Sequence, residues 1–418
     1  MRYSHTSFSD VNIDEHPLAS HLPHPTNGPS VQSGYNVYLD LLEPDQAIHG
    51  FDDFIYSDHP QISLHAVSFR DATFLSLKWP HTMTDAMGSH ALLKNWSRMV
   101  AGRDDEVQPF MGFKDDAARK VAELDVAVNP TLSEIEVAGH KRLKGISMFL
   151  FVVQFVWAMF FGPKMLAKVL FIPAKTVQAL KDEARRDLQA DDPTKEPPSL
   201  SEADIITAWT GRMTLSYMPP ESTRDVAILS IVDMRRRIPA IFGEQPSPTG
   251  PVWVQNLVIP AITHIPVKSL LANSLGRTAL QIRSSVLDQA APESISRYAR
   301  YILSLTNQAA LFMKPSSIIM AVSNWHSAKM FETLDFSPAI VCSETKQGDH
   351  FSGLWPKGLQ PGKPASIAAA GFGQNTSVRN GWGVIGRDVG GNYWMQGFCT
   401  QVTWDTIEKE FARLERLL

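Results

Sequence analysis

The sequence predicts a mixed α/β protein whose elements fall into two halves joined near residue 195. Alternating side chains in 61–69 and 73–79 indicate two strands, and a helical period begins directly after them at Asp85. Residues 191–200 hold three prolines and four charged side chains, with no large apolar residue before the end, which is typical of a linker. Strands and helices are predicted on both sides of this linker.

Apolar periodicity predicts the remaining elements. The segment 174–190 is helical in pattern, Ser201 opens a capped helix that extends to Tyr217, and 267–313 is helical apart from a break at Pro292. The predicted strands of the second half are 226–232, 318–323, 339–342, 367–372 and 393–402. The last helix places four apolar side chains on one face: Ile407, Phe411, Leu414 and Leu418.

Length and composition indicate an ordinary globular protein. At 418 residues, 44% hydrophobic and 20% charged, the chain fits roughly two to three domains and is too apolar to be largely disordered. The net charge of −4 supplies no basic field for a phosphate backbone, which argues against nucleic acid as a partner. Cys342 and Cys399 form neither a disulfide framework nor a zinc-site pattern, so we expect a reducing compartment, the cytoplasm.

The most apolar stretch, 146–161, is too short to span a bilayer. Its sixteen residues include Gln154 and end at Gly162, short of the ~20 residues that a spanning helix needs. We expect a buried or surface-docked helix. The alternative is an interfacial membrane helix, because basic residues flank a run that contains aromatic side chains. The flanking residues are Lys141, Arg142, Lys144, Lys164 and Lys168.

One constellation of residues suggests a chemistry. His81 follows a strand that Pro80 ends, and Asp85 stands four residues later, where a helix begins. Corners between a strand and a helix present side chains into clefts. An imidazole, with an ordinary pKa of about 6.5, accepts a proton from a hydroxyl at neutral pH. Asp85 either pairs with the imidazole or braces the loop through an arginine.

Other interpretations of the motif-like residues are open or weak. His81 alone is compatible with a purely structural loop histidine, and a metal pair with Asp85 lacks a third ligand nearby. Residues 358–364 lack the spacing and the Ser or Thr of a phosphate loop, and 371–374 lack the third glycine of a dinucleotide site. The sequence contains no Gly-x-Ser-x-Gly elbow, so serine-hydrolase chemistry has no support.

The motif His81-Thr-Met-Thr-Asp85, with Gly88 after two intervening residues, resembles the His-x-x-x-Asp-Gly signature of the BAHD acyltransferases, which use acyl-CoA donors. Segments downstream are similar to further motifs of that family and follow in the same order. They are 201–209, 232–239, Gln255-Asn256, Ser323-Asn324-Trp325 and Leu334-Asp335-Phe336. The resemblance covers about residue 55 to the C-terminus. The apolar run before the linker is similar to the crossover region of fungal members.

The resemblance implies an α/β fold of two similar mixed-sheet subdomains of the chloramphenicol-acetyltransferase type, with the active site in the channel between them. It implies an N-terminal subdomain at 1–143 that lacks its first strand and helix. A hydrophobic helical crossover and the linker occupy 144–200, and the C-terminal subdomain occupies 201–418.

The resemblance also implies a role for each site residue. His81 is the general base, and Asp85 is a structural residue that pairs with an arginine, for which Arg235 is favoured over Arg237. Ser323 Oγ and Trp325 Nε1 occupy the places of the oxyanion donors, which are valuable because they are aimed before the reaction at the charge that develops.

The implied function is transfer of an acyl group, acetyl above all, from acyl-CoA to a hydroxyl of a fungal secondary metabolite by a monomeric enzyme. The thioester is already activated, so no resident metal or redox cofactor is expected. N-acylation is the near alternative and needs the same base. A catalytically lapsed CoA- or ligand-binding homologue is a second alternative, because Ser337-Pro338-Ala339 replaces Gly-Trp-Gly after the structural Asp335. A protein that acts at a membrane surface through 146–161 is a third.

Overall fold

The computed structural model describes most of the chain. The described residues are 1–42, 51–112, 114–124, 135–245, 247–248, 250–306, 310–340, 359–369, 378–416 and 418. The strands are β1 Arg2–Phe8, β2 Ser30–Ser33, β3 Ser63–Phe69, β4 Thr73–Lys78, β5 Phe110–Met111, β6 Glu136–Val137, β7 His140–Lys141, β8 Met165–Ile172, β9 Asp225–Asp233, β10 Val252–Trp253, β11 Val258–Pro266, β12 Ile318–Asn324, β13 Gly381–Arg387 and β14 Tyr393–Thr400. The helices are α1 Leu39–Leu42, α2 Phe51–Tyr56, α3 Ala86–Val100, α4 Ala117–Glu123, α5 Ile146–Phe161, α6 Ala174–Asp191, α7 Glu202–Leu215, α8 Pro239–Phe242, α9 Val267–Ala272, α10 Leu275–Gln289, α11 Pro292–Leu303, α12 Met330–Thr333 and α13 Gln401–Glu415.

The strands form a large and a small mixed sheet, together with two short ribbons. The large sheet has seven strands in the order β11-β9-β12-β13-β14-β8-β2, and the small one has the order β1-β3-β4. In the large sheet β9, β12 and β13 run parallel to one another, so their carboxyl ends share one edge. The short ribbon β5–β10 joins a segment before the linker to one after it. The fold class is mixed α/β, as predicted.

Helices cover one face of the large sheet and enclose the main core. Trp209 of α7 is fully buried there and stacks on Phe411 of α13. Helix α7 begins with a capping box, in which Ser201 Oγ accepts from the backbone N–H of Asp204 while the Asp204 carboxylate accepts from the backbone N–H of Ser201. The predicted capped helix is therefore confirmed.

The opposite face of the large sheet packs against the small sheet. Alternation along β8 places Leu170 in the main core and Phe171 in a second core, because successive side chains of a strand point to opposite faces. In the second core, Val67 and Phe69 of β3 lie in the same cluster as Phe171 and Trp394. This packing holds β3 and β4, which lead to the His81 loop, against the large sheet.

Several predicted elements are confirmed and some are wrong. The helical prediction for 267–313 is wrong beyond Leu303, since none of the described residues 304–306 and 310–313 is helical. Residues 337–339 form a 3₁₀ turn where a strand was predicted from 339, and 341–342 lie outside the described residues. The described residues 367–369 form no strand, and 370–372 also lie outside the description. Strand β14 ends at Thr400, where α13 begins.

The division of the chain at 143 and 200 stays a prediction. The large sheet does not follow it, because β2 comes from the first predicted segment, β8 from the second and the remaining five strands from the third. Helix α5 has the predicted bounds, but none of its residues is buried. No helix among the described residues is long and apolar enough to cross a membrane.

Candidate active site

The candidate site lies at the edge where the parallel strands β9, β12 and β13 end. Asp233 is the last residue of β9, and Ser323 stands at the end of β12, one residue before Asn324 closes the strand. The carboxyl ends of adjacent parallel strands meet at one edge, where ligands of α/β proteins commonly bind. The loop from β4 to α3 brings His81 and Asp85 to this edge through the contacts described below.

Asp85 is buried and its carboxylate is fully occupied. As the N-cap of α3, it accepts through Oδ1 from the backbone N–H groups of Met87 at 3.0 Å and Gly88 at 2.9 Å. Oδ2 accepts from Arg235 Nη1 at 3.0 Å and from the backbone N–H of Leu257 at 2.8 Å. The predicted pair of Asp85 and Arg235 is therefore formed, and the carboxylate braces the loop.

Arg235 is buried and acts as a fork between three segments. Besides Asp85, its Nη1 donates to Asp233 Oδ1 at 2.8 Å. Its Nε donates to the carbonyl of Trp253 at 2.8 Å, and its Nη2 donates to the carbonyl of Gln255. A guanidinium suits this position because its five donors have fixed geometry and it stays charged.

Gly88 permits the close approach of the segment that carries these carbonyls. A Cβ at Gly88 would stand 2.1 Å from the carbonyl oxygen of Val254 and 2.2 Å from Thr84 Oγ1. No side chain fits in that space, so a glycine is required at this position even though two residues separate it from Asp85.

His81 is exposed at the corner between β4 and α3. Its backbone carbonyl accepts a hydrogen bond from Asn256 Nδ2 at 2.7 Å, which fixes the loop on the segment after β10. Within the part of the chain that the structure describes, its imidazole makes no hydrogen bond. The ring is therefore exposed to solvent, on a main chain that the hydrogen bond from Asn256 holds in place.

The two predicted oxyanion donors are bonded to each other. The indole Nε1–H of Trp325 donates to Ser323 Oγ at 2.8 Å, so it is already used, while the hydroxyl proton of Ser323 can still be donated. Trp325 and Met87 pack on the same apolar cluster. Because Met87 belongs to the first turn of α3, this cluster joins the Ser323 strand end to the His81–Asp85 loop.

Asp335 lies in a separate brace behind this cluster. Its Oδ1 accepts from the backbone N–H of Ser337 at 3.0 Å, and its Oδ2 lies 3.2 Å from Lys363 Nζ. The hydrogen bonds to Ser337 and the contact with Lys363 hold the pKa of Asp335 below its ordinary value. Phe336 packs edge-on against Trp96 of α3. The Ser-Pro-Ala sequence therefore still forms an ordered turn without the two glycines of the family motif.

Two site residues were quoted in the sequence motifs without a role. Asn256 holds the His81 loop, and Asp233 accepts from both the backbone N–H and the Nη1 of Arg235. Burial raises the pKa of Asp233 above its ordinary value, although Arg235 counteracts the effect. The signal that could have assigned Asp233 a role was its place two residues before the arginine, at a strand end.

One group of side chains outside the site has ligands of the kind that bind metals. Ligand atoms of His140, Asp225 and His264 lie within 4.8 Å of one another. His264 Nδ1 is bonded to Asp225 Oδ2 at 2.8 Å and its Nε2 to the carbonyl of Phe312 at 3.0 Å, so hydrogen bonds already use both nitrogens. Asp225 begins β9, whereas Asp233 ends it, which places this group about 26 Å from the candidate site.

Comparisons with known proteins agree with this arrangement. The chain is 31% identical over 421 residues to O-acetyltransferase PaAT-2 of Phomopsis amygdali, covering 99% of this chain and 82% of the relative. It is 28% identical to acetyltransferase BOT5 of Botryotinia fuckeliana, covering 98% of this chain and 76% of the relative. No family model matches the chain.

Solved structures show the same fold. The complex of F. graminearum TRI101 with coenzyme A and deoxynivalenol has a TM-score of 0.63 at 15% identity and covers 99% of this chain and 81% of that chain. Vinorine synthase has a TM-score of 0.51 at 14% identity and covers 85% of this chain and 66% of that chain. The chain thus shares the fold of these enzymes and is more than 30% identical to an acetyltransferase along nearly the whole length of this chain. It therefore belongs to the fungal members of the BAHD-type acyltransferases and is an enzyme with the CoA-acyltransferase fold.

Proposed function

We propose that this enzyme transfers an acetyl group from acetyl-CoA to a hydroxyl of a small secondary metabolite, with His81 as the general base. The two relatives described above carry the names O-acetyltransferase and acetyltransferase, and TRI101, with which the chain shares its fold, was crystallised with coenzyme A and deoxynivalenol. Both substrates are small molecules that enter and leave.

The observation that carries the proposal is the division of labour between His81 and Asp85. All of the acceptor capacity of Asp85 is directed to the N-terminus of α3, to Arg235 and to Leu257. The imidazole of His81 stays exposed, with no carboxylate hydrogen-bonded to it among the described residues. An exposed imidazole without such a partner can take a proton from an alcohol as that alcohol attacks.

The reaction then proceeds by addition and elimination. The acceptor oxygen gives its proton to His81 and attacks the thioester carbonyl, whose oxygen becomes an oxyanion in the tetrahedral intermediate. The carbonyl reforms, the C–S bond breaks, and the imidazolium returns the proton to the leaving thiolate. The products are an acetyl ester and free coenzyme A, so the chain needs no other reactant.

Ser323 is the donor that we assign to the oxyanion. Its hydroxyl accepts from Trp325 Nε1 and keeps its own proton for a second partner. Trp325 is then a positioning residue, because its indole fixes the rotamer of Ser323 and polarises the hydroxyl. This assignment refines the expectation that both side chains contact the oxyanion.

We propose in addition that the enzyme works as a monomer in the cytoplasm, in subdomains 1–143 and 201–418 joined by 144–200. Contact with a membrane surface through 146–161 is the one association that we propose beyond the two substrates. The exposure of that helix supports it.

The test combines binding and turnover. Acetyl-CoA at one hundred times its Kd adds about 2.7 kcal/mol to the stability of a protein that binds it only in the folded state, which raises the melting temperature. Acetyl transfer is followed by release of free thiol, with a panel of apolar alcohols and matched amines as acceptors. His81→Ala is expected to lower kcat by about 10²–10⁴-fold while the acetyl-CoA shift persists.

His59→Ala is the matched control, because His59 precedes β3 and has no hydrogen bond to the motif among the described residues. It is expected to retain full activity. Near-normal turnover of His81→Ala would show that the base is another residue. A melting shift without turnover in the unaltered enzyme would support a lapsed CoA-binding protein, and preference for the amines would assign N-acylation.

A further inference from the structure

Helix α5 presents an apolar face to solvent on a scale that no other described helix matches. At 100° per residue, its nine exposed large apolar side chains occupy an arc of about 180°. They are Ile146, Phe149, Leu150, Val152, Val153, Val156, Trp157, Phe160 and Phe161. Gln154 is the one polar side chain that is also exposed, and it lies at the margin of this arc.

The other side of α5 fixes the helix to the protein. Met148 and Phe151, three residues apart, pack on the cluster that contains Phe312 and Tyr301. The backbone N–H of Leu143, just before the helix, donates to the carbonyl of Leu311 at 2.8 Å. At the other end, Arg379 Nη2 donates to the carbonyl of Pro163 at 3.0 Å. Because both ends are tied down, the exposed arc has a fixed direction.

The charged residues that flank α5 in the sequence are of one sign. The segment 137–181 contains seven lysine or arginine residues and no aspartate or glutamate, in a chain whose net charge is −4. Lys144 and Lys164 are exposed and stand within three residues of the two ends of the helix. A flat apolar strip between cations is complementary to an acyl-chain boundary below anionic headgroups.

We infer that α5 is an interfacial helix that docks this enzyme on an anionic lipid surface. The helix lies in the plane of the headgroups, inserts Phe149, Trp157 and Phe160, and brings Lys144 and Lys164 to the lipid phosphates. With a length of about 24 Å and the body of the protein along its other side, it lies on the bilayer and does not cross it. This deepens the membrane contact proposed above and is independent of the chemistry at His81, so either can fail alone.

The test is flotation of the full chain with vesicles of phosphatidylcholine, with and without phosphatidylserine. We expect binding to the vesicles with phosphatidylserine, weaker binding to phosphatidylcholine alone, and a further loss when salt is raised. Trp157→Ser/Phe160→Ser changes two side chains that are 65% and 75% exposed, and it should weaken binding at least tenfold. Phe151 is unsuitable, because it packs on the protein.

Leu287→Ser/Val402→Ser is the matched control, since these apolar side chains are 51% and 53% exposed on other helices. It should bind vesicles as the unaltered chain does. Melting temperature and acetyl transfer to a water-soluble alcohol are measured for each variant, so that misfolding or a failed proposed function is seen separately.

Two results would overturn the inference. One is that the unaltered chain is monomeric and binds neither kind of vesicle, or that Trp157→Ser/Phe160→Ser binds the vesicles as well as the unaltered chain does. The other is self-association that this double variant abolishes, measured by light scattering without lipid, which would assign the face to a second copy of the chain.

Discussion

The Asp85–Arg235 pair and helix α5 depart from the usual distribution of side chains in opposite directions. The pair is charged and buried, since Asp85 is 4% exposed and Arg235 is 6% exposed, whereas α5 is apolar and contains no buried residue. Every oxygen of Asp85 and every nitrogen of Arg235 has a hydrogen-bond partner inside the chain. The exposed face of α5 has no such partner among the described residues. The first departure is resolved within the fold, and the second calls for something outside it.

The largest effect is expected when the buried pair is broken. Asp85→Asn keeps a good N-cap for α3 but removes one of the two carboxylates that pair with Arg235, and leaves Asp233 as the other. Removing one partner of a buried pair costs about 3–5 kcal/mol, because the other charge stays desolvated. Because Asp233 still faces Arg235, we expect the free energy of unfolding, measured with urea, to fall by up to this amount, and activity to fall with it.

An exposed pair supplies the comparison. Asp191 and Arg277 are joined at 2.8 Å, and both side chains are largely open to solvent. Asp191→Asn should cost at most about 1 kcal/mol. If Asp85→Asn instead slowed turnover with an unchanged melting temperature, Asp85 would act directly on the imidazole of His81.

The next prediction distinguishes the Ser323 hydroxyl, whose proton can still be donated, from the Trp325 N–H, which already donates to Ser323. Ser323→Ala removes the hydroxyl proton assigned to the oxyanion and should lower kcat by about 10²–10³-fold. Trp325→Phe removes the N–H that orients Ser323, together with part of the ring, and the lost hydrogen bond is worth about 0.5–1.5 kcal/mol. Steady-state kinetics of both variants and of the double variant measure the coupling.

We expect the double variant to be no slower than Ser323→Ala, because Trp325 acts through Ser323. Two equal and additive losses would show that both groups contact the oxyanion independently. Melting temperatures of the three variants identify any loss that comes from packing of the Trp325 ring.

The sequence predicted the buried Asp85–Arg235 pair better than it predicted the strands of the sheet around it. The pair of Asp85 with Arg235 was implied by the resemblance to the BAHD motifs, and the structure contains it. Strand β11 was missed because Pro260 and Pro266 argue against a strand, and it is an edge strand, where proline is tolerated. Strand β13 was missed because its glycines give the pattern of a loop.

Strand β8 was missed for a different reason. It begins at Met165, directly after the apolar run, and is apolar on both faces except at Lys168, so it has no period of two to read. Both of its faces are buried, one in each core. The bounds of α5 followed from the sequence, but its exposure did not, since composition alone cannot tell a buried apolar helix from an exposed one.

A smaller effect is expected from Gly88→Ala, because the backbone of Val254 leaves no room for a side chain at this position. An alanine Cβ would stand 2.1 Å from the carbonyl oxygen of Val254, which is backbone and cannot rotate away. Overpacking of this kind costs about 1–3 kcal/mol. Gly211→Ala is the control, because its Cβ would meet only side chains at 3.6 Å or more. It should be neutral or stabilising in a helix, and equal stability of the two variants would contradict the close packing at Gly88.

The smallest effect concerns His90, which joins α3 to α12 through a 2.7 Å hydrogen bond between its Nε2 and Thr333 Oγ1. Burial, reinforced by Lys94 and Arg236, lowers the pKa of His90 from 6.5 to about 4. The folded state therefore favours the neutral ring, and the unfolded chain takes up a proton first as the pH falls. The stability that His90 contributes is complete above pH 6.5 and is lost as the pH falls towards 4.

His90→Gln keeps a hydrogen-bonding side chain but removes this titration. Urea unfolding at a series of pH values should show a shallower loss of stability between pH 6.5 and 4 in His90→Gln than in the unaltered chain. His5→Gln, which changes an exposed histidine, should leave the slope unchanged. Identical slopes for His90→Gln and the unaltered chain would show that His90 takes up its proton at the same pH in the folded and the unfolded chain. An imidazolium beside Lys94 and Arg236 needs water around it. The contact between α3 and α12 would then be open to solvent, and the tightly packed part of the site would be limited to Asp85 and Arg235.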